Sequence, residues 1–166
     1  MFDRLVMGVD PGVAATGVAT VAWSRAGRSV VLGSQTIRTP AGSPDGDRLY
    51  AVYRTLRRAL ADTHPETVAV ERLMWGRNVG SAMAVARASG VVLLAAAEAG
   101  IPVREYAPLE VKLAVTGNGN AAKDEVRLAL RRLHAIADLP PEPDAIDAVA
   151  VALCHIHRSP LREAAR

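Results

Sequence analysis

Leu5-Val6-Met7-Gly8-Val9-Asp10-Pro11-Gly12 (LVMGVDPG) is the stretch on which the fold turns. An apolar run ends in an aspartate, and a Pro-Gly pair breaks it. Short, Val-rich runs bounded by Gly and Pro read as strands. Thr16–Trp23 (TGVATVAW) and Ser29–Thr39 (SVVLGSQTIRT) repeat the pattern. Gly27 between them permits a tight connection, so these two predict an antiparallel hairpin. Pro40–Asp47 (PAGSPDGD) is a loop. Then the period changes. Leu49, Val52, Tyr53, Leu56 and Leu60 fall at helical spacing, with Asp47 as N-cap and an end near His64-Pro65. Thr67–Glu71 (TVAVE) is a fourth strand, again closed by a carboxylate. Asn78–Ala99 predicts one long helix or two joined near Gly90, and Ile101–Tyr106 a fifth strand. Pro108–Val115 reads as a short helix, Thr116–Asn120 (TGNGN) as a loop, Lys123–His134 as an amphipathic helix and Asp144–His157 as the last. The order of the main elements, β-β-β-α-β-α-β-α-α, predicts an α/β fold with a mixed sheet.

Composition narrows the class. At 166 residues the chain fits one domain, 1–166, with a short mobile tail expected from about residue 158. Half of the residues are hydrophobic, which excludes general disorder. Val91–Ala97 and Ala148–Cys154 are the longest apolar runs at seven residues each. A membrane span needs about 18, so no membrane role is expected. A lone cysteine, Cys154, forms no internal disulfide, and no secretion signal opens the chain. A cytoplasmic protein is expected. The net charge of +3 is too mild to prove a polyanionic partner.

Four acids carry the functional signal. Asp10 and Glu71 end strands one and four, and parallel strands of α/β sheets place their sites at that edge. Asp144 and Asp147 stand three apart on one helix face. Singly, each has an ordinary explanation as a turn residue, an N-cap or an exposed acid. Together they lie beside apolar runs, where an unpaired charge is least welcome. If the last helix packs beside the first strand, four carboxylates converge. They would repel one another and resist desolvation. Hard divalent cations resolve that conflict, and carboxylate oxygens suit Mg²⁺ or Mn²⁺ rather than zinc. Two such ions about 4 Å apart promote phosphodiester cleavage.

The motifs Gly8-Val9-Asp10-Pro11-Gly12 with Thr16-Gly17, Val70-Glu71-Arg72, Gly117–Lys123 and Asp144–Ala148 keep the order and spacing of one family. From Leu5 to His157 the chain resembles the RuvC family of bacterial Holliday-junction endonucleases. The resemblance implies a ribonuclease-H-like fold, with a five-stranded mixed sheet and helices on both faces. It implies that Asp10, Glu71, Asp144 and Asp147 are metal-binding catalytic acids holding two Mg²⁺ or Mn²⁺ ions. It also implies a homodimer that nicks opposed strands of four-way junction DNA symmetrically, in recombination and repair. A branch-migration motor of the RuvA and RuvB type is the implied partner.

Lys112 and Lys123 are the only lysines among 20 basic residues, and both match family positions near the scissile phosphate. Lysine is a compact point charge suited to one phosphate oxygen. Arg127 lies in the same basic stretch. Arg72, Arg77 and Arg87 form another, and both stretches fit phosphate contacts. Arg48, Arg54, Arg57 and Arg58 fit a solvated helix face. One departure concerns base unstacking. Where the family often has Phe, this chain has Met74 followed by Trp75. Met is an apolar wedge and Trp stacks on bases. With Arg77 and Asn78 they form a candidate DNA contact. Some relatives carry histidine in the last acidic motif; here Asp144 stands there, leaving His155 and His157 to structure.

Three rivals share parts of this pattern. Asp10-Pro11-Gly12 with Thr16-Gly17 also resembles the phosphate loop of sugar kinases and actin-like ATPases, but those need two lobes. Ribonuclease H, transposases and other resolvase relatives share only the acidic site. A non-catalytic junction-binding module has no use for four acids facing phosphates.

Overall fold

The structure, a computed structural model, describes residues 2–72 and 79–159, excluding the side chain of Ser81. The strands are β1 (Arg4–Asp10), β2 (Ala15–Trp23), β3 (Ser29–Arg38), β4 (Thr67–Glu71) and β5 (Val103–Tyr106). The helices are α1 (Asp45–Thr63), α2 (Val79–Glu98), α3 (Pro108–Thr116), α4 (Lys123–Arg132) and α5 (Pro143–Arg158). Among the described residues three helices follow β5, at the three segments read as helical there; the order of main elements omits the short first one. The sheet order is β3-β2-β1-β4-β5. β1, β2 and β3 pair antiparallel, while β1–β4 and β4–β5 pair parallel, so the sheet is mixed as expected.

Side-chain alternation sorts the two faces. Met7, Val9, Val18, Val68 and Val70 pack against Val52, Leu56 and Leu60 of α1 and Val92, Ala95 and Ala96 of α2. Val6, Ala19, Val21 and Ala69 pack against α3, α4 and above all α5. Helices thus cover both faces. Among the described residues no helix is long and apolar enough to cross a membrane.

Several expected boundaries move. Asp47 is not an N-cap. Pro44 takes that position with extended backbone, and Asp45 and Asp47 both fall in the first turn, where carboxylates favour the helix N-terminus. The helix stops at His64 in the left-handed region, as expected before Pro65. α2 runs unbroken through Gly90. β5 begins at Val103, because Pro102 has no N–H to give a ladder; its carbonyl instead accepts from Val68 N–H. α4 ends at Arg132, where the N–H groups of Leu133 and His134 both turn onto the Ala129 carbonyl and Ala135 adopts positive φ.

Candidate active site

Two glycines build this site. α5 crosses β1 and β2 so closely that a Cβ on Gly8 would lie 1.9 Å from the Ala148 carbonyl oxygen. A Cβ on Gly17 would lie 1.9 Å from the Asp144 carbonyl oxygen. Only residues without side chains admit a helix backbone at this distance. Gly17 is also the register partner of Asp10. The start of α5 is therefore pressed against the end of β1. Sequence reasoning did not assign these glycines a role; their signal is that they interrupt apolar strand runs.

The turn after Asp10 is fixed by Thr16, fully buried, whose hydroxyl donates to the Gly12 carbonyl at 2.6 Å. Asp10 and Glu71 end neighbouring parallel strands and point to the α5 face, since each is two residues beyond an α5-packed position, Gly8 and Ala69. On α5, Pro143 opens the helix and Asp144 sits in its first turn. Asp144 is thus not an N-cap; Glu142 precedes the helix, and no side chain caps it.

From the other side, α3 and α4 bring the lysines. Each helix carries in its first turn a glutamate that accepts the backbone N–H three residues back: Glu110 from Ala107 at 2.8 Å, Glu125 from Ala122 at 2.6 Å. Asp10, Glu71, Asp147, Lys112 and Lys123 then line one cleft of about 170 Å³. Pro108, Val111, Val126 and Ala150 form its apolar wall.

The electrostatics are those of crowded like charges. Burial, followed by repulsion from Glu71, Asp147 and Asp144, pushes the Asp10 carboxyl from its ordinary 3.8 to about 7; Lys123 opposes the shift. Burial and Asp147 raise Glu71, opposed by Lys123 and Lys112. Lys123 Nζ donates to Asp147 Oδ2 at 2.8 Å, and that bond holds the ammonium above its usual range. Asp144 does not line the cleft. Its carboxylate reaches the Asp10 charge from beside it, 3.9 Å from Arg38 Nη2.

The donor set fits hard divalent ions: all oxygen, with more negative charge than the one hydrogen-bonded lysine balances. The carboxylates do not form a finished cage. Among the described residues no three His, Cys, Asp or Glu side chains stand ready to hold an ion, and Asp147 is engaged by Lys123.

Arg127 is outside the cleft; its Nε is buried without a partner among the described residues, so α4 holds part of its guanidinium inside. Arg87 turns away to pair with Asp45 at 2.6 Å. Arg48 is not on a solvated face: its side chain is 13% exposed and donates to Thr39 Oγ1 at 2.9 Å. Met74, Trp75, Arg77 and Asn78 lie outside the described residues. His155 is buried in a separate network with Arg4 and Tyr106.

A model of the family described as Crossover junction endodeoxyribonuclease RuvC matches residues 6–155. The proteins of that name from Moorella thermoacetica and Syntrophomonas wolfei are similar to this chain. The first is 44% identical over 159 residues, 96% of this chain and 95% of that protein. The second is 45% identical over 152 residues, 92% and 88% respectively. In three dimensions the chain is similar to T. thermophilus RuvC in complex with Holliday junction substrate, with a TM-score of 0.86, 36% identity and 93% of each chain covered. The ribonuclease-H-like sheet, the acidic cleft and these matches agree, and the chain belongs to the RuvC family of crossover junction endodeoxyribonucleases.

Proposed function

We propose that this protein resolves four-way DNA junctions by paired, symmetric nicks during recombination and repair. The observation that carries the reading is the cleft itself. Asp10, Glu71 and Asp147 meet there opposite Lys112 and Lys123, on a fold whose relative was solved with junction DNA.

In this reading Asp10, Glu71 and Asp147, with Asp144 alongside, hold two Mg²⁺ or Mn²⁺ ions. When bound, such ions activate water and stabilise the leaving oxygen of a phosphodiester. The chain's own residues do the rest. Asp10, raised to about 7, must give up its proton before it can ligate, so ion binding is coupled to proton release. Val111, Val126 and Ala150 exclude water on one side and strengthen every charge interaction in the cleft. Lys123 donates to Asp147 and presents a donor where a phosphate oxygen would gain charge. Lys112 holds a neighbouring phosphate.

Two cuts on opposed strands call for two copies of the site, and α2 supports a homodimer. Val79, Met83, Leu93 and Leu94 are exposed apolar residues on this helix, while Val92, Ala95 and Ala96 of the same helix enter the core. Within Val91–Ala97, exposed Leu93 and Leu94 would meet a second copy, while Val92, Ala95 and Ala96 pack inward. Sedimentation at several concentrations should give a dimer mass; a monomer with full activity would contradict it. We place the enzyme in the cytoplasm, working with a branch-migration motor of the RuvA and RuvB type.

The functional test uses a synthetic four-way junction, a linear duplex and an RNA–DNA hybrid, each with Mg²⁺, Mn²⁺ or chelator. Paired nicks on the junction, only with metal, are expected. Cleavage of the hybrid in preference would move the reading to ribonuclease H.

A further inference from the structure

Arg38 ends β3 at the sheet edge that carries the site. Ala15 pairs with Arg38, and Gly17, two residues along the same strand, pairs with Asp10. Its guanidinium stands between two acids of the α5 entry. Nη2 is 3.9 Å from Asp144 Oδ2, and Nε is 4.0 Å from Glu142 Oε1. Both distances exceed hydrogen-bond range. The Arg38 side chain makes no hydrogen bond to a described residue, and it is 61% exposed. Arg48, on α1, shows what a structural arginine in this region looks like: nearly enclosed and hydrogen-bonded to Thr39. Arg38 has a fork of five N–H donors, none committed among the described residues.

Position matters as much as freedom. Lys112 and Lys123 flank the acidic cleft from α3 and α4. Arg38 flanks it from the opposite, β3 side. A DNA strand laid across the cleft therefore meets a cation before and after the acids, and a planar fork is the better partner for a phosphate.

We propose that Arg38 is an exchangeable counter-cation. In the free protein it balances Asp144; when a divalent ion takes over that carboxylate, Arg38 turns to a phosphate on the β3 side of the scissile bond. The exchange follows from charge. Once Asp144 is shared with a dication, its attraction for Arg38 falls and the dication itself repels the guanidinium. A phosphate restores an anionic partner to it. This inference rests on the reading of the cleft as a metal-dependent junction nuclease.

The test compares wild type, Arg38→Ala and Arg38→Lys. Arg38→Gln is the substitute if the alanine variant fails to fold. Junction binding is measured against salt in Ca²⁺ and in chelator, with gels verifying that the DNA stays intact. In Ca²⁺ the slope of log affinity on log salt should be smaller by about one in Arg38→Ala, and Arg38→Lys should restore it. In chelator the two slopes should coincide. Calorimetric titration of Ca²⁺ into DNA-free protein should show binding about two- to fivefold tighter in Arg38→Ala, because the competing cation is gone. An unchanged slope in Ca²⁺ would overturn the exchange. A slope lowered equally in chelator would make Arg38 a plain phosphate contact and also overturn it, as would unchanged Ca²⁺ affinity. Failure of the wild type itself to bind Ca²⁺ or the junction would instead sink the underlying nuclease reading.

Discussion

The two ends of α5 bury polar groups by opposite rules. At its C-terminal end Arg4, 8% exposed, donates to Glu66 at 2.8 Å and to the carbonyls of Ile156 and Ser159 at 3.1 and 3.2 Å. Its Nη2 lies 3.0 Å from His155 Nε2. Arginine can only donate, so that nitrogen is the acceptor, and the imidazole is neutral with its proton on Nδ1. Nδ1 then donates to the Tyr106 hydroxyl at 2.8 Å. Burial, then Arg4 and Arg104, lowers His155 to about 4. The buried charge there, Arg4, has partners on all sides among the described residues. At the N-terminal end Asp10, Glu71, Asp144 and Asp147 face one another with too few cations between them, and Asp10 rises to about 7. A satisfied network is what structure requires; a buried surplus of one sign is what a ligand of the other sign completes.

Among variants that leave the four acids in place, the largest effect should come from separating those acids. Gly17→Val puts side-chain atoms where the Asp144 carbonyl lies. Stability should fall by about 3 kcal/mol or more. Cleavage should fall by about 10²-fold or more even where the fold survives, because small displacements of reacting groups cost that much. Thermal melts and nicking rates measure the two together, and normal nicking would show that α5 need not seat on β2. Lys123→Ala should reduce nicking about 10²-fold while leaving the melting temperature nearly unchanged, since the lysine side chain is 77% exposed.

At the satisfied end the pattern reverses. Arg4→Met should cost about 2–3 kcal/mol of stability by orphaning Glu66 and two carbonyls, with nicking rates at low temperature unaltered. A rate loss as large as that of Lys123→Ala would mean that the two ends are coupled.

The smallest effect is a difference in sign with pH, measured by melting in chelator. Asp10 titrates near 7 folded against an ordinary 3.8, so the folded state holds more protons between those values. Its contribution to stability is lost as pH rises from about 4 to 7. His155 titrates near 4 against 6.5, so the unfolded state holds more protons. Its contribution is complete above 6.5 and lost as pH falls toward 4. Asp10→Asn should leave a stability that rises with pH, and His155→Gln one that falls, by about 1–2 kcal/mol each. Parallel curves for the two variants would contradict the opposition.

Much of this was legible in the chain because apolar runs, Pro-Gly breaks and helical spacing report local structure directly. β1 to β4 and the lysine-bearing helices follow from such signals, whereas the sequence left α2 open between one helix and two joined near Gly90. Boundaries failed where one backbone group decided them: Pro44 at the start of α1, Pro102 before β5 and Ala135 after α4. The convergence of Asp144 and Asp147 with Asp10 depended on a helix seating on a strand, which periodicity does not encode. Gly8 and Gly17 encode it, as absences of side chains that only the packed structure explains. Arg38 escaped notice because its significance lies in register across β2, not in its neighbours along the chain.

In the proposed function the acidic cleft serves metal-dependent cutting and not the holding of the fold or the DNA. Asp10→Asn isolates it. With Mg²⁺ or Mn²⁺ and a synthetic four-way junction, nicking should fall by about 10³-fold or more, metal chemistry being worth several kcal/mol of barrier. Junction affinity should stay near that of the wild type, and the metal-free protein should melt higher at neutral pH, since a repelled, buried charge is gone. Undiminished nicking by Asp10→Asn, or loss of junction binding in step with nicking, would contradict the account.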